Sequence, residues 1–279
     1  MCVTCGCGVG DHSHTAPAFA RVPMRQAAHE HAHGAMSVPG RDAHTIQLET
    51  QILSKNQLIA QRNRSWLAAR RILALNLVSS PGAGKTTLLE RTINDLKADL
   101  SISVIEGDQA TSNDAERIRA TGAPAVQINT GTGCHLEADM LERALHTLEP
   151  DSESLLLIEN VGNLVCPALF DLGERAKVVI FSVTEGEDKP LKYPHMFGAA
   201  EVLILSKLDL QPHVRFDADT AVENALAVNP HLKIFRVSAY SGEGMSEWYD
   251  WLKTELTKTE FVVPVADTAP LVWQRVSAV

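Results

Sequence analysis

The sequence predicts an α/β protein, with a mainly parallel sheet of about seven strands covered by helices and a disordered Cys- and His-bearing tail ahead of it. Two observations predict the sheet. Seven apolar runs recur along the chain, each nearly continuous rather than alternating, as strands are when both faces are buried. Helical patterns separate these runs, the order expected of a parallel sheet with helices on its faces. A third observation marks off the tail: residues 1–44 hold six of the eleven histidines and three of the five cysteines, and no lysine precedes Lys55.

In chain order, the tail comes first. Ala, Pro, Gly and His dominate residues 1–44, three acids balance three arginines, and no helical or strand period appears. The segment is expected to be disordered, with local ligand clusters. From residue 45, Ile46, Leu48, Ile52, Leu53, Leu58, Ile59, Trp66 and Leu67 recur at mostly helical spacing, which predicts a long amphipathic helix packed on the rest of the globular part. The predicted strands are ILALNLV (72–78), ISVIEG (102–107), AVQIN (125–129), SLLLIEN (154–160), KVVIFSV (177–183), EVLILS (201–206) and KIFRVS (233–238). The globular part is expected over 45–258. Pro264 and Pro270 mark residues 259–279 as an irregular tail.

Composition narrows the function classes. A formal net charge of −9 and the lack of a basic patch argue against nucleic acid as a partner. No apolar run is long enough to span a membrane, and the N-terminus lacks the apolar centre of a signal peptide. A reducing, cytoplasmic location is therefore expected, where cysteines seldom pair. An odd count of five also excludes a fully paired disulfide framework in a monomer.

SSPGAGKTT (79–87) follows the first predicted strand and opens a helix. Gly84, Lys85 and Thr86 fit the end of the phosphate-loop pattern, while Ser79 stands where its first glycine would be. Such a loop turns backbone N–H groups inward around phosphate oxygens, and the helix N-terminus adds a favourable dipole. Pro81, Gly82, Ala83, Gly84, Lys85, Thr86 and Thr87 are thus candidate nucleotide contacts. Lys85 would bridge the terminal phosphates and the Thr86 hydroxyl would bind Mg²⁺. Asp108 and Glu159 end later strands, where doubly wound folds bind ligands. Asp108 would reach Mg²⁺ directly or through water. Gly162, three residues beyond Glu159, offers an amide to a γ-phosphate. SKLD (206–209) resembles the Asn-Lys-x-Asp signature of GTPases. Asp209 would accept from guanine's N1–H and 2-amino groups, and the Lys207 stem would cover the base. Ser206 replaces the usual Asn. Ser238 and Ala239, in SAY (238–240), fit the last guanine loop. The order of these motifs favours a P-loop GTPase binding GTP or GDP over an ATPase.

The cysteines point to metal. Cys134 and His135 stand side by side at a predicted helix N-terminus, and Cys166 lies four residues beyond Gly162. Two thiolates and an imidazole suit Zn²⁺ or Ni²⁺, and water or a second subunit would complete the site. Cys166 lies on the segment expected to rearrange when γ-phosphate leaves. A coupling of about 1–3 kcal/mol, or 5–150-fold, would time metal release, and linkage makes it reciprocal. At the other end, Cys2, Cys5 and Cys7 can wrap one ion without a preformed fold. With Met1 removed, the Cys2 α-amine would be a fourth ligand, and a planar set of three sulfurs and one nitrogen suits Ni²⁺. Gln109 has no readable role, Lys189 reads as either solvated or reaching across an interface, and intrinsic hydrolysis is expected to be slow, on the order of 10⁻⁴ s⁻¹.

Over about residues 45–258 the chain resembles the HypB family, GTPases that help deliver nickel to [NiFe]-hydrogenase precursors. SSPGAGKTT, GDQAT, GTGCHLEADM, IENVGNLVCP, SVTEGEDKPLKYPHMF, SKLD and SAYSGEG carry the resemblance. MCVTCGCG also matches the Cys-x-x-Cys-Gly-Cys found in some members as a tight nickel site, and the His-bearing linker is similar to nickel-storage tracts of others. The resemblance implies GTP hydrolysis coupled to a homodimer favoured by GTP. It implies a metal site of Cys134, His135 and Cys166 near that interface. It also implies a HypA-type nickel/zinc protein and hydrogenase large-subunit precursors as partners. Two rivals remain: a nickel or zinc storage or buffering protein, and a related GTPase serving another metalloenzyme such as urease.

Overall fold

A computed structural model gives the structure, which describes residues 43–108 and 113–258. Cys2, Cys5, Cys7, the six N-terminal histidines other than the backbone of His44, Gln109 and residues 259–279 lie outside the described residues, as do the side chains of Ile46 and Leu48.

All seven predicted strands form, as β1 (Leu73–Ser79), β2 (Ile102–Asp108), β3 (Ala125–Asn129), β4 (Leu155–Glu159), β5 (Ala176–Ser182), β6 (Val202–Ser206) and β7 (Lys233–Arg236). They make one sheet in the order β3-β2-β4-β1-β5-β6-β7, and every neighbouring pair is parallel. The helices are α1 (Ala43–Ala69), α2 (Lys85–Leu96), α3 (Asn113–Ala120), α4 (Ala138–Leu148), α5 (Cys166–Leu169), α6 (Lys189–Lys192), α7 (Pro194–Ala199), α8 (Ala218–Val228) and α9 (Met245–Thr257).

Both faces of the sheet are covered, which is why its strands read as unbroken apolar runs. In β1 every residue is buried. Leu73, Leu75 and Leu77 pack with Leu88, Leu89 and Ile93 of α2 and with Trp248 and Leu252 of α9. On the opposite face, Ala74 joins Leu67 of α1 and Leu141 and Leu145 of α4, and Val78 joins Met196 and Phe197 of α7 and Ala221 and Ala225 of α8. Successive strands lie to opposite sides of β1, so its carboxyl end sits at the switch point where open α/β sheets bind ligands.

α1 departs from the predicted amphipathic pattern. Ile59 and Leu67 are buried, but Ile52, Leu53 and Leu58 are exposed. The packed stripe is Asn56, Ile59, Ala60, Asn63 and Leu67, at helical spacing but part polar. Asn56 donates to the Asp171 carbonyl at 2.7 Å and accepts from the Ala138 N–H at 2.8 Å. Asn63 donates to the carbonyls of Ala138 at 2.8 Å and Leu172 at 3.0 Å. The contact is close because Gly173 (φ +95°) comes against α1; a Cβ there would stand 2.5 Å from the Ala60 carbonyl oxygen. Buried main-chain groups at the start of α4 and in the 171–173 loop need partners. Two asparagines supply them where aliphatic side chains cannot. Among the described residues, no helix is long and apolar enough to cross a membrane.

Candidate functional site

The phosphate loop spans the gap between β1 and α2. Its turn needs left-handed backbone at Gly82 (φ +74°) and Gly84 (φ +98°), which other residues adopt only with strain. Lys85 begins α2, and its Nζ donates to Ser79 Oγ at 3.0 Å. Burial holds the Lys85 ammonium below its usual pKa, against the pull of Glu159. Thr86 Oγ1 donates to Glu159 Oε1 at 2.7 Å. Burial pushes the Glu159 carboxyl up to about 7. A cavity of about 500 Å³ is lined by Lys85, Thr86, Asp108, Glu159 and Gly162, so all five residues expected to act on the phosphates meet in one place. Glu159 Oε2 is buried there without a hydrogen-bond partner. An unsatisfied carboxylate oxygen beside the Thr86 hydroxyl and Asp108 suits a hard cation that takes oxygen ligands, such as Mg²⁺.

A second cavity of about 220 Å³ adjoins it, lined by Ala83, Lys207, Asp209, Ala239 and Tyr240. Ser206 Oγ donates to the Ala83 carbonyl at 2.8 Å and Lys207 Nζ to the Gly82 carbonyl at 2.7 Å. The SKLD segment is therefore fastened to the phosphate loop, and the serine in place of asparagine makes a polar tie of its own. Asp209 lies in a 3-10 turn (Leu208–His213), where its Oδ1 accepts from Ser238 Oγ at 2.5 Å. SAY lies just beyond β7 rather than within it.

Cys134, His135 and Cys166 also converge, their ligand atoms all within 4.8 Å of one another. The Cys134 and Cys166 sulfurs are 3.0 Å apart, and Cys134 Sγ is 3.7 Å from His135 Nδ1. Cys134 and His135 stand in the loop before α4, whose N-cap is Glu137, rather than at the helix N-terminus that the sequence predicts. Cys166 opens α5. The His135 ring lies 4.0 Å from that of Phe170, centroid to centroid, and its buried Nε2 has no hydrogen-bond partner. Burial lowers the His135 pKa and favours the neutral imidazole that a metal requires.

The two sites are linked. Asn160, just past Glu159, accepts from the Leu136 N–H at 3.1 Å and donates to Asn76 Oδ1 at 3.1 Å. Asn163, just past Gly162, donates to the Cys134 carbonyl at 3.2 Å. The strand end lining the phosphate cavity thus continues into the segment that brings Cys134, His135 and Cys166 together.

Sequence reasoning missed three residues here. Glu106 pairs in register with Glu159 across β2 and β4, is buried, and has an Oε2 without a hydrogen-bond partner. Burial, with Glu159 beside it, pushes its carboxyl up to about 8. An acid inside the apolar run ISVIEG was the available signal. Asp114 and Arg117 of α3 also line the phosphate cavity, and no local pattern marks them. Lys189 is not a solvated lysine; it is partly buried and ion-paired with Glu185.

Comparison with known proteins places this geometry. The CobW/HypB/UreG nucleotide-binding domain matches residues 73–236. The hydrogenase maturation factor HypB of Escherichia coli (strain K12) is 48% identical over 287 residues, covering 91% of this chain and 99% of the relative. The crystal structure of HypB from Archaeoglobus fulgidus superposes with a TM-score of 0.69 at 39% identity, covering 73% of this chain and 99% of that one. HypB from Helicobacter pylori in complex with nickel gives a TM-score of 0.68 at 38% identity, covering 73% and 96%.

Proposed function

The chain belongs to the CobW/HypB/UreG family, among the HypB hydrogenase maturation factors, and on that premise we propose that it is a GTP-hydrolysing nickel metallochaperone for [NiFe]-hydrogenase precursors. GTP binds with its base in the smaller cavity against Asp209 and Ala239 and its phosphates across Lys85 and Thr86. Mg²⁺ would be held by Thr86 and Asp108, close to Glu159, and would neutralise charge on the phosphates. Nickel, or zinc, is cargo at Cys134, His135 and Cys166. The nickel complex of the Helicobacter pylori relative supports the first metal. GTP-favoured dimerisation, a HypA-type partner and nickel capture by Cys2, Cys5 and Cys7 belong to the same proposal. So does the division into a metal-binding segment (1–44), a GTPase domain (45–258) and a C-terminal tail (259–279).

The observation that carries this reading is the bond from Asn163 to the Cys134 carbonyl. It lies between a glycine at the phosphate cavity and a thiolate of the metal cluster. Loss of γ-phosphate relaxes the 160–166 segment and loosens the grip on the ion. The test is to titrate nickel and zinc into the apo, GDP-bound and non-hydrolysable-GTP forms, with residues 1–44 removed in parallel. A difference of about 5–150-fold between nucleotide states is expected; equal affinity in all three would sink the coupling. Lys85→Ala separates a chaperone from a buffer. It is expected to abolish hydrogenase maturation while nickel binding persists.

A further inference from the structure

Arg117 makes a set of contacts that the proposed reaction does not yet use. Its Nε and Nη2 donate to the two carboxylate oxygens of Glu90, at 3.1 and 2.5 Å. Nη1 donates to Asp114 Oδ1 at 3.2 Å. Nη2 also donates to Thr87 Oγ1 at 3.2 Å. Arg117 and Thr87 both line the phosphate cavity, and Thr87 lines the base cavity as well. Thr87, with Gly84 and Lys207, therefore marks the boundary between the two. A nucleotide lying through both cavities passes this boundary with its α-phosphate.

We propose that Arg117 is a phosphate-binding residue supplied by the chain itself, held in reserve by Glu90 and transferred to the α-phosphate when a guanosine nucleotide enters. The inference rests on the nucleotide reading above. Two carboxylates, Glu90 and Asp114, surround the one guanidinium, so the three side chains together carry net negative charge that an incoming phosphate must overcome. The planar fork that now grips Glu90 matches phosphate oxygens equally well, and Glu90 and Arg117 are both partly exposed, so the exchange does not bury a charge. Position at the α-phosphate predicts a contact common to GDP and GTP. It does not predict one that senses the γ-phosphate.

The test measures equilibrium binding of GDP and of a non-hydrolysable GTP analogue to the full chain. Arg117→Ala is expected to weaken both nucleotides by the same factor, about 10–100-fold for loss of hydrogen bonds to a charged group. Arg117→Lys is expected to recover part of the loss. Glu90→Gln removes a competitor and is expected to tighten both nucleotides, an outcome that misfolding cannot produce. A loss confined to the GTP analogue, unchanged affinity in Arg117→Ala, or weaker binding in Glu90→Gln would each overturn the inference. Wild-type protein that binds no guanine nucleotide would overturn the function itself, and the role of Arg117 with it.

Discussion

Gly162→Ala tests the nucleotide site most directly, because the structure sets the size of the effect. A Cβ added at Gly162 would stand 3.1 Å from the Cα, N and Cγ of Pro81, where ordinary contact begins at 3.4 Å. Two of those atoms are main chain and the third belongs to a ring, so no rotamer change relieves the contact. The phosphate loop must retreat by a few tenths of an ångström. It is not free to do so, since Lys207 and Ser206 hold the Gly82 and Ala83 carbonyls. Overpacking of this kind costs about 1–3 kcal/mol, which is about 5–150-fold in affinity if it falls on the bound state. The GTP analogue is expected to lose more than GDP, because Gly162 and Pro81 line the cavity together with Lys85, which the proposed function sets against the terminal phosphates. Calorimetric titration of both nucleotides, with thermal unfolding as a control on folding, measures the effect. Affinities for both nucleotides within twofold of wild type, at unchanged thermal stability, would refute the reasoning.

Three further outcomes come from the same geometry. Ser238→Ala removes the hydroxyl that donates to Asp209; a bond to a charged group contributes about 1.5–3 kcal/mol, so GDP affinity should fall about tenfold or more and selectivity over ADP should narrow. Asn63→Ala leaves the carbonyls of Ala138 and Leu172 without their partner and should cost about 1–3 kcal/mol, read as a lower denaturation midpoint at unchanged slope. Glu106 is raised from 4.5 to about 8, so the folded protein binds a proton that the unfolded chain releases. The Glu106 contribution to the stability of the nucleotide-free protein is therefore full below about pH 4.5 and is lost as pH rises towards 8, with a slope of up to about 1.4 kcal/mol per pH unit, and Glu159, raised to about 7, acts in the same direction. Glu106→Gln should flatten that slope, and an unchanged profile would show that Glu106 does not titrate in this window.

The sequence by itself determined the sheet and the phosphate loop. A strand buried on both faces must be apolar along its length, so ILALNLV and its six counterparts were legible without any knowledge of their neighbours. Gly82, Gly84, Lys85 and Thr86 were legible because a phosphate cradle is built from contiguous backbone. The face of α1 was legible only in part: Ile59 and Leu67 are buried as hydrophobicity indicated, but Ile52, Leu53 and Leu58 are exposed, and Asn56 and Asn63 complete the contact with partners 75 to 115 residues away. Only the tertiary structure decided that Cys134 and Cys166 meet, 32 residues apart. The same holds for Glu106 against Glu159 and for Arg117 at the corner of the nucleotide cavity. In a parallel sheet each return passes through a helix, so residues adjacent at the carboxyl edge are distant in the chain. Their meeting depends on strand order and register, which no local pattern carries.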